Sequence, residues 1–221
     1  MRIYEPGQIM PMGNMYFIYG EGGTGKTSLA KQLSGNKLLF SFDGSTNALV
    51  GTKDIRVFAY DHTDATTLQN QVSAQLNEAL MSGIYNTIIL DNVTALQNWV
   101  LENIDNASKD NRQNYQKLQL WFRDLGMYLR ASGLTVLATA HQIDNGASGL
   151  IGGGRYEADM NAKTFNAFSA PFDVVGRIYK ENGQRFIELD TEKGNHAKNR
   201  IDDRVLIKAD ELVTAKKKEE K

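Results

Sequence analysis

Short apolar runs recur along the chain, separated by segments long enough to hold a helix. Residues 15–19, 37–42, 55–60, 87–91 and 134–140 each predict a strand. The last two runs contain too little polar alternation for a half-exposed strand, which favours burial in a parallel sheet. The pattern therefore predicts an α/β fold in which helices cover a mostly parallel sheet.

Helical periodicity occupies the segments between these runs. Residues 64–81 predict a helix that ends at Gly83, and the chain after Asn92 predicts helix interrupted by the polar residues 105–114. A strongly amphipathic helix follows and ends at Gly133. Its apolar side chains are predicted to belong to the core: Leu118, Trp121, Phe122, Leu125 and Leu129.

The last third of the chain changes character. Residues 143–163 lose all periodicity and are rich in glycine, which is typical of a functional or disordered loop. Farther on, Asn182 and Gly183 separate two apolar runs, a strong signal for a β-hairpin with a type I′ turn. A last strand is expected near residues 205–207. The sheet is therefore predicted to gain antiparallel strands at its C-terminal end.

A phosphate-binding loop follows the first strand. Its sequence is G-x-x-x-x-G-K-T, and the order of strand, loop and helix is the context that this motif requires. Glycines let backbone N–H groups converge on an anion, Lys26 reaches the β- and γ-phosphates, and Thr27 binds Mg²⁺. The alternative, a glycine-rich turn with a chance Lys-Thr pair, does not explain these flanks. The predicted ATP-binding residues are Gly20, Glu21, Gly22, Gly23, Thr24, Gly25, Lys26, Thr27 and Ser28.

Asp91 closes the apolar run of residues 87–91. A buried strand that ends in aspartate is the Walker B pattern, which presents the carboxylate to the magnesium ion. The pattern is weak alone, because aspartate is also a turn residue, but it is strong beside a phosphate loop. The next residue is Asn92, so the glutamate that often follows this aspartate in AAA+ proteins is missing. This difference indicates another branch of the loop-containing ATPases.

Further candidate residues follow the strand at 134–140. Gln142 lies at its end, where a side chain can contact the γ-phosphate or orient the attacking water, although it can equally cap the strand. In the glycine-rich stretch, basic and aromatic side chains suit single-stranded DNA, which binds through phosphate contacts and stacked bases. A mobile lid without nucleic acid is the alternative, since acidic residues dilute the charge. The candidate DNA-binding residues are Arg155, Tyr156, Lys163 and Phe165.

Composition narrows the possible classes. The chain has 221 residues and is 41% hydrophobic, which suits one α/β domain over residues 1–208 with a charged tail at 209–221. It has no cysteine, and its three histidines are scattered, so a thiolate or histidine metal site is not expected. A net charge of −1 gives no global case for nucleic acid. No apolar run is long enough for a bilayer, and a cytoplasmic protein without membrane contact is expected.

The sequence resembles the RecA-type core, and within it the small phage ATPases related to the Sak group of RecA-like single-strand annealing proteins. The resemblance spans residues 18–207 and is carried by four segments: the phosphate loop, residues 91–96, residues 138–142 and residues 198–200. It implies an ATPase that uses ATP and Mg²⁺ and promotes annealing or strand exchange in phage recombination, in the cytoplasm of the bacterial host.

The resemblance also implies partners. It implies that residues 143–165 bind single-stranded DNA and that the chain forms a homo-oligomeric ring or filament with composite ATP sites between subunits. Lys198 and Arg200 then reach the γ-phosphate held by the neighbouring subunit, whereas the alternative treats both as solvated surface residues. A single-stranded DNA-binding protein is a further candidate partner.

The chain departs from RecA at one catalytic position. In RecA proteins a catalytic glutamate lies two residues beyond the aspartate that ends the second strand. This position is Ser45 here, which leaves Asp43 as the nearest carboxylate. Either Asp43 is the water-activating base, or hydrolysis is slow and ATP binding matters more than turnover. Two other classes stay open. One is a loader or motor ATPase that acts on a protein partner. The other is a nucleoside or metabolite kinase, which the lack of clustered arginines in the glycine-rich stretch disfavours.

Overall fold

The computed structural model describes residues 3–104, 107–146, 155–191 and 195–213. Its strands are β1 (Met15–Gly20), β2 (Lys37–Ser41), β3 (Ile55–Ala59), β4 (Thr87–Asp91), β5 (Thr135–Ala140), β6 (Gln142–Asp144), β7 (Tyr156–Ala158), β8 (Val174–Glu181), β9 (Gln184–Glu188), β10 (Lys198–Asn199) and β11 (Leu206–Lys208). Its α-helices are α1 (Leu68–Ser82), α2 (Val93–Glu102), α3 (Asn111–Ser132) and α4 (Ala162–Ser169). Short 3-10 helices cover Thr27–Gln32, Asn47–Leu49, Ala65–Thr67 and Ala209–Glu211.

Nine strands form one sheet in the order β11-β9-β8-β1-β5-β4-β2-β3, with β10 also pairing with β8. The strands from β8 to β3 are parallel, whereas β9, β10 and β11 pair antiparallel. This sheet confirms the predicted RecA-like class, mostly parallel with antiparallel C-terminal strands. Strands β1 and β4 are parallel, so the phosphate loop after β1 and Asp91 at the end of β4 lie at the same edge of the sheet. Strand β5 lies between them.

Both faces of the central strands are buried. On one face, Phe17 of β1 makes edge-to-face contacts with three phenylalanines, at ring-centroid distances of 5.3 Å to Phe165, 6.1 Å to Phe168 and 5.8 Å to Phe172. On the other face, Ile18 belongs to a second cluster that includes Leu29 and residues near the C-terminus. The predicted apolar runs therefore form a sheet covered on both sides, as parallel sheets require.

The predicted strands, hairpin and helix ends are found with small shifts. The turn between β8 and β9 has positive φ at Asn182 (49°) and Gly183 (81°), as a type I′ turn requires. The helices α1 and α3 end at Gly83 and Gly133. Of the predicted core residues of α3, Leu118, Phe122, Leu125 and Leu129 are buried, whereas Trp121 is half-buried.

The helix expected after the phosphate loop and the later helix α3 both have well-defined starts. The segment after the loop is a 3-10 helix over Thr27–Gln32, and the chain turns at Gly35, with φ 74°, before β2. Helix α3 begins at Asn111, inside the predicted interruption, because the Asp110 carboxylate accepts a hydrogen bond of 2.9 Å from the backbone N of Arg112.

The glycine-rich stretch contains more regular structure than its sequence indicates. Strands β6 and β7 pair antiparallel, and α4 begins at Ala162, where the Asn161 side chain caps it by accepting from the N–H groups of Lys163 and Thr164. These elements are too short to show a period. Gly149, Gly152, Gly153 and Gly154 lie outside the described residues.

The packed part of the chain extends beyond residue 208. The 3-10 helix Ala209–Glu211 follows β11 directly, and Leu212 is buried in the second cluster. Residues 209–212 therefore belong to the folded body and not to the predicted tail, while 214–221 lie outside the described residues. No described helix combines the length and apolar character that a membrane crossing needs.

Candidate nucleotide-binding site

The phosphate loop leaves β1 at Gly20. A side chain at this position would place Cβ 2.2 Å from the carbonyl oxygen of Ile178 on β8, so only glycine fits. The loop curves around Lys26, whose Nζ donates hydrogen bonds of 2.8 Å each to the carbonyl oxygens of Gly20 and Glu21. Lys26 is 9% exposed, and burial lowers its pKa, while the carboxylates of Asp91 and Asp43 favour its charged form. The ammonium group therefore lies inside the loop, where it can meet an anion.

Asp91 connects the loop to the sheet. Its Oδ2 accepts a hydrogen bond of 2.8 Å from Thr27 Oγ1, and its Oδ1 accepts one of 2.6 Å from Thr139 Oγ1 at the end of β5. The carboxylate is 2% exposed, and burial raises its pKa against the lowering effect of these two hydroxyl donors. A buried carboxylate held in this way is suited to a cation, because a cation compensates the cost of desolvating its charge.

These residues fit a magnesium ion that is shared with a nucleotide. Magnesium binds hard oxygen ligands and usually takes one or two carboxylates together with substrate phosphates and water. Thr27 and Asp91 present a hydroxyl and a carboxylate to the same point beside the loop. Among the described residues, no group of three or more His, Cys, Asp and Glu side chains is placed to hold a metal ion.

Asn92 positions the carboxylate of Asp43. Its backbone has φ 69° and ψ 70°, and its side-chain Oδ1 accepts from the N–H of Ala95 at the start of α2. This leaves the amide nitrogen to donate to Asp43 Oδ2 at 2.7 Å and to contact His141 Nε2 at 2.9 Å. The other oxygen of Asp43 accepts 2.9 Å from the backbone N of Ser45. Asn92, which stands where AAA+ proteins often have a glutamate, therefore orients the carboxylate of Asp43.

Gln142 is held by two charged residues. Its Nε2 donates 3.0 Å to Oε1 of Glu21 in the phosphate loop, and its Oε1 accepts 3.0 Å from Nε of Arg177 on β8. Gln142 therefore lies beside the phosphate loop, and its contact with a γ-phosphate stays a prediction. Arg177 was not identified from the sequence, although an arginine inside the apolar run of β8 was an available signal.

Two cavities flank the phosphate loop. One, of about 440 Å³, lies between the 3-10 helix and the C-terminal strands and is lined by Gly25, Ser28, Leu29, Gln32, Gly183, Gln184, Arg185, Lys208, Ala209 and Asp210. The other, of about 380 Å³, is lined by Glu21, Gly22, Gly23, Thr24, Gln142, Arg177, Ile178, Tyr179 and Lys180. The loop therefore has open space on both sides for a nucleotide.

Lys198 and Arg200 lie away from the phosphate loop of their own chain. Strand β10 pairs with Val174 and Val175 at the start of β8, whereas Gly20 pairs with Ile178 nearer its end. Lys198 Nζ donates 2.8 Å to the carbonyl oxygen of Ser169, and both cations contact the carbonyl oxygen of Ala170. They therefore cap the C-terminus of α4. Burial, followed by the charge of Arg200, lowers the pKa of Lys198 to about 8.

The four candidate DNA-binding residues have different surroundings. Arg155 forms an exposed ion pair of 3.1 Å with Asp144, and its guanidinium lies 4.8 Å from the ring centroid of the half-buried Tyr156. Lys163 is exposed on α4. Phe165 is 6% exposed and stacks on His196 at 4.8 Å, so its ring belongs to the core and is not available to a base.

Similarity to known proteins extends over most of the chain. The structure is similar to the crystal structure of the flagellar accessory protein FlaH from Methanocaldococcus jannaschii, with 12% identity, a TM-score of 0.49, and coverage of 91% of this chain and 87% of that one. A KaiC-like protein from Pyrococcus horikoshii OT3 is similar at 11% identity, with a TM-score of 0.48 and coverage of 82% and 80%. No curated protein sequence matches significantly. A family model described as an AAA domain matches residues 12–201, and the chain therefore belongs to this AAA domain family.

Proposed function

We propose that the chain is a magnesium-dependent ATPase of the RecA-like type. The observation that carries this proposal is the meeting of Lys26, Thr27 and Asp91 at the ends of β1 and β4. An ammonium group inside a loop of backbone amides, next to a hydroxyl and a buried carboxylate, suits a triphosphate with its metal ion. Magnesium, when bound, would neutralise phosphate oxygens as charge develops on them.

The residues of the chain have separate roles in hydrolysis. Lys26 stabilises negative charge on the β- and γ-phosphates. Asp43, held by Asn92 and by the backbone of Ser45, accepts the proton of the attacking water. Gln142 donates its amide N–H toward the terminal phosphate. The base lies close to the loop in this assignment. Burial lowers the pKa of Lys26 and raises that of Asp91, and the charge of Asp43 acts upward on both pKa values.

The proposed site is completed by a second copy of the chain. Lys198 and Arg200 are directed to the C-terminus of α4 and not to their own loop, because β10 pairs with the first residues of β8 whereas Gly20 is in register with Ile178. A role at a γ-phosphate therefore requires the loop of a neighbour in a ring or filament. Two cations supplied in this way would stabilise the transition-state charge, as arginine fingers do.

Single-stranded DNA is the proposed polymer partner, and annealing or strand exchange in phage recombination is the proposed task. Support comes from the position of the glycine-rich segment, which directly follows Gln142, and from the exposed cations Arg155 and Lys163. A protein partner, as for a helicase loader, is the second candidate. It is favoured by the burial of Phe165 and by the pairing of Arg155 with Asp144, which reduce the basic and aromatic surface.

The deciding experiment measures ATP hydrolysis with and without single-stranded DNA over a range of protein concentrations. We expect activity that requires magnesium, rises more steeply than protein concentration, and increases with DNA. Activity proportional to concentration contradicts the composite site. A lack of response to DNA favours the protein partner. Absence of nucleotide binding by calorimetry with Mg-ATP contradicts the ATPase itself.

A further inference from the structure

Two hydrogen bonds through the side-chain amide of Gln142 connect β8 to the phosphate loop. Arg177 Nε donates 3.0 Å to Gln142 Oε1, and Gln142 Nε2 donates 3.0 Å to Glu21 Oε1. A guanidinium group can only donate hydrogen bonds, and an ionised carboxylate can only accept them. The two charged neighbours therefore leave one orientation for the Gln142 amide, with its N–H groups toward the phosphate loop.

Arg177 is itself held firmly. Its Cζ lies 3.4 Å from the ring centroid of Tyr156, a close cation–π contact. The carbonyl oxygen of Tyr156 accepts 3.0 Å from the hydroxyl of Tyr19, which directly precedes the phosphate loop. Across the hairpin, Arg177 is in register with the buried Glu188. Stacking on Tyr156 thus orients the Arg177 guanidinium, whose Nε is directed to Gln142.

Glu21 is an anionic side chain that already accepts the Gln142 hydrogen bond. Its carboxylate is an exposed negative group in a loop whose glycines, amides and Lys26 otherwise suit a phosphate. The terminal phosphate of a nucleotide carries the same sign of charge and accepts the same hydrogen bonds. The cavity of about 380 Å³ that Glu21, Gln142 and Arg177 line leaves room for the Glu21 side chain to turn away.

We propose that Arg177 is a positioning residue that presents the Gln142 N–H to the phosphate loop, and that Glu21 and the terminal phosphate of ATP compete for this donor. The inference rests on the proposed ATPase function and concerns how the site distinguishes ATP from ADP. ADP lacks the phosphate that displaces Glu21, so only ATP gains the Gln142 hydrogen bond.

The test compares the affinities of Mg-ADP and a non-hydrolysable Mg-ATP analogue by calorimetry. For Arg177→Ala and Gln142→Ala, we expect the preference for the ATP analogue to fall about tenfold, as suits loss of one charge-assisted hydrogen bond, with ADP affinity unchanged. The double variant should be no worse than Gln142→Ala, because both act through one contact. Glu21→Ala should shift the preference the opposite way.

Several results would overturn the inference. Equal losses of affinity for both nucleotides in Arg177→Ala indicate a general effect on the loop, and additive losses in the double variant indicate that Arg177 acts without Gln142. An unchanged or weaker preference in Glu21→Ala removes the competition. If Arg177→Ala does not fold, Arg177→Lys carries the same expectation, since lysine keeps the charge but not the guanidinium geometry. Arg123→Ala, an exposed arginine on α3, is the matched control. Wild-type protein that binds neither nucleotide instead contradicts the proposed function.

Discussion

The side-chain amide of Asn92 donates a hydrogen bond of 2.7 Å to the carboxylate of Asp43. Asn92 follows the Walker B aspartate directly, and Asp43 follows β2, so this contact joins the ends of two neighbouring strands. In the sequence, Asn92 is notable only because it stands in place of a glutamate, and this hydrogen bond gives it a structural role. The contact orients the carboxylate that we propose as the water-activating base.

Replacing Asn92 by aspartate should slow hydrolysis. The new carboxylate can still cap α2, but it cannot donate to Asp43 and repels it. We expect kcat to fall at least about tenfold, and about a hundredfold or more for Asp43→Asn, which removes the base. Steady-state hydrolysis at saturating ATP measures this, and calorimetry should show that ATP binding persists. Unchanged kcat in Asp43→Asn would show that another group activates water.

Lys26→Ala should abolish nucleotide-dependent activity and leave the fold intact. The ammonium group is buried and its pKa is lowered by burial, so its loss removes a desolvated charge. We expect the rate of hydrolysis to fall at least about a hundredfold, because the preorganised positive charge that faces the phosphates is lost. Lys31→Ala, which changes an exposed lysine in the 3-10 helix that follows the loop, is the control for loss of one positive charge. Wild-type activity in Lys26→Ala would remove the assignment of the loop.

The proposed composite site predicts complementation between two inactive variants. Arg200→Ala keeps an intact loop, and Lys26→Ala keeps an intact Arg200. In an equimolar mixture, roughly a quarter of the interfaces should combine the intact loop with the intact arginine. We expect each variant alone to hydrolyse ATP weakly and the mixture to recover part of the wild-type rate. A mixture no more active than its components would show that Arg200 acts within its own chain or has no role.

The lowered pKa of Lys198 predicts two pH effects. If its charge acts on a neighbour's phosphate, hydrolysis should decrease as the pH rises through about 8, and Lys198→Arg should remove this decrease. Stability should change in the opposite direction. The folded state disfavours the charged lysine, so the free energy of unfolding should rise between about pH 8 and 10.5, relative to Lys198→Met. Denaturant titrations of both proteins at pH 7 and pH 10 measure this difference. Parallel profiles would contradict the lowered pKa.

Removal of residues 146–155 should weaken binding to single-stranded DNA. The binding that remains should depend less on salt, since fewer phosphates are neutralised. Fluorescence anisotropy with a labelled oligonucleotide at several salt concentrations measures both effects, and Arg123→Ala provides the control for a lost surface charge. Equal DNA binding before and after the removal would favour a protein partner.

Local sequence patterns predicted the elements of the site well. The run ending at Asp91 predicted β4 to the residue, because a strand buried on both faces needs continuous apolar side chains. The hairpin at Asn182 and Gly183 was predicted for a similar reason, since few residues adopt both positive φ angles. Such features depend only on neighbours in the chain.

Contacts between distant strands could not be predicted in the same way. Arg177 reaches Gln142 only because β8 pairs with β1 on the side opposite to β5, and no local pattern encodes this order of strands. The sequence assigns Phe165 to a DNA-binding loop because the eight-residue helix α4 and its cap at Asn161 directly follow a glycine-rich segment and are too short to show a helical period. Its burial against Phe17 and His196 depends on tertiary packing.

The capping of α4 by Lys198 has a consequence for assembly. An ammonium group has three protons, and in the isolated chain this one is directed to the carbonyl oxygens of Ser169 and Ala170. These two acceptors leave the third proton of Lys198 available to an outside anion, so such an anion can bind without breaking the cap of α4. In the proposed ring or filament, the neighbour's phosphate would accept a hydrogen bond from this third proton while α4 keeps its cap.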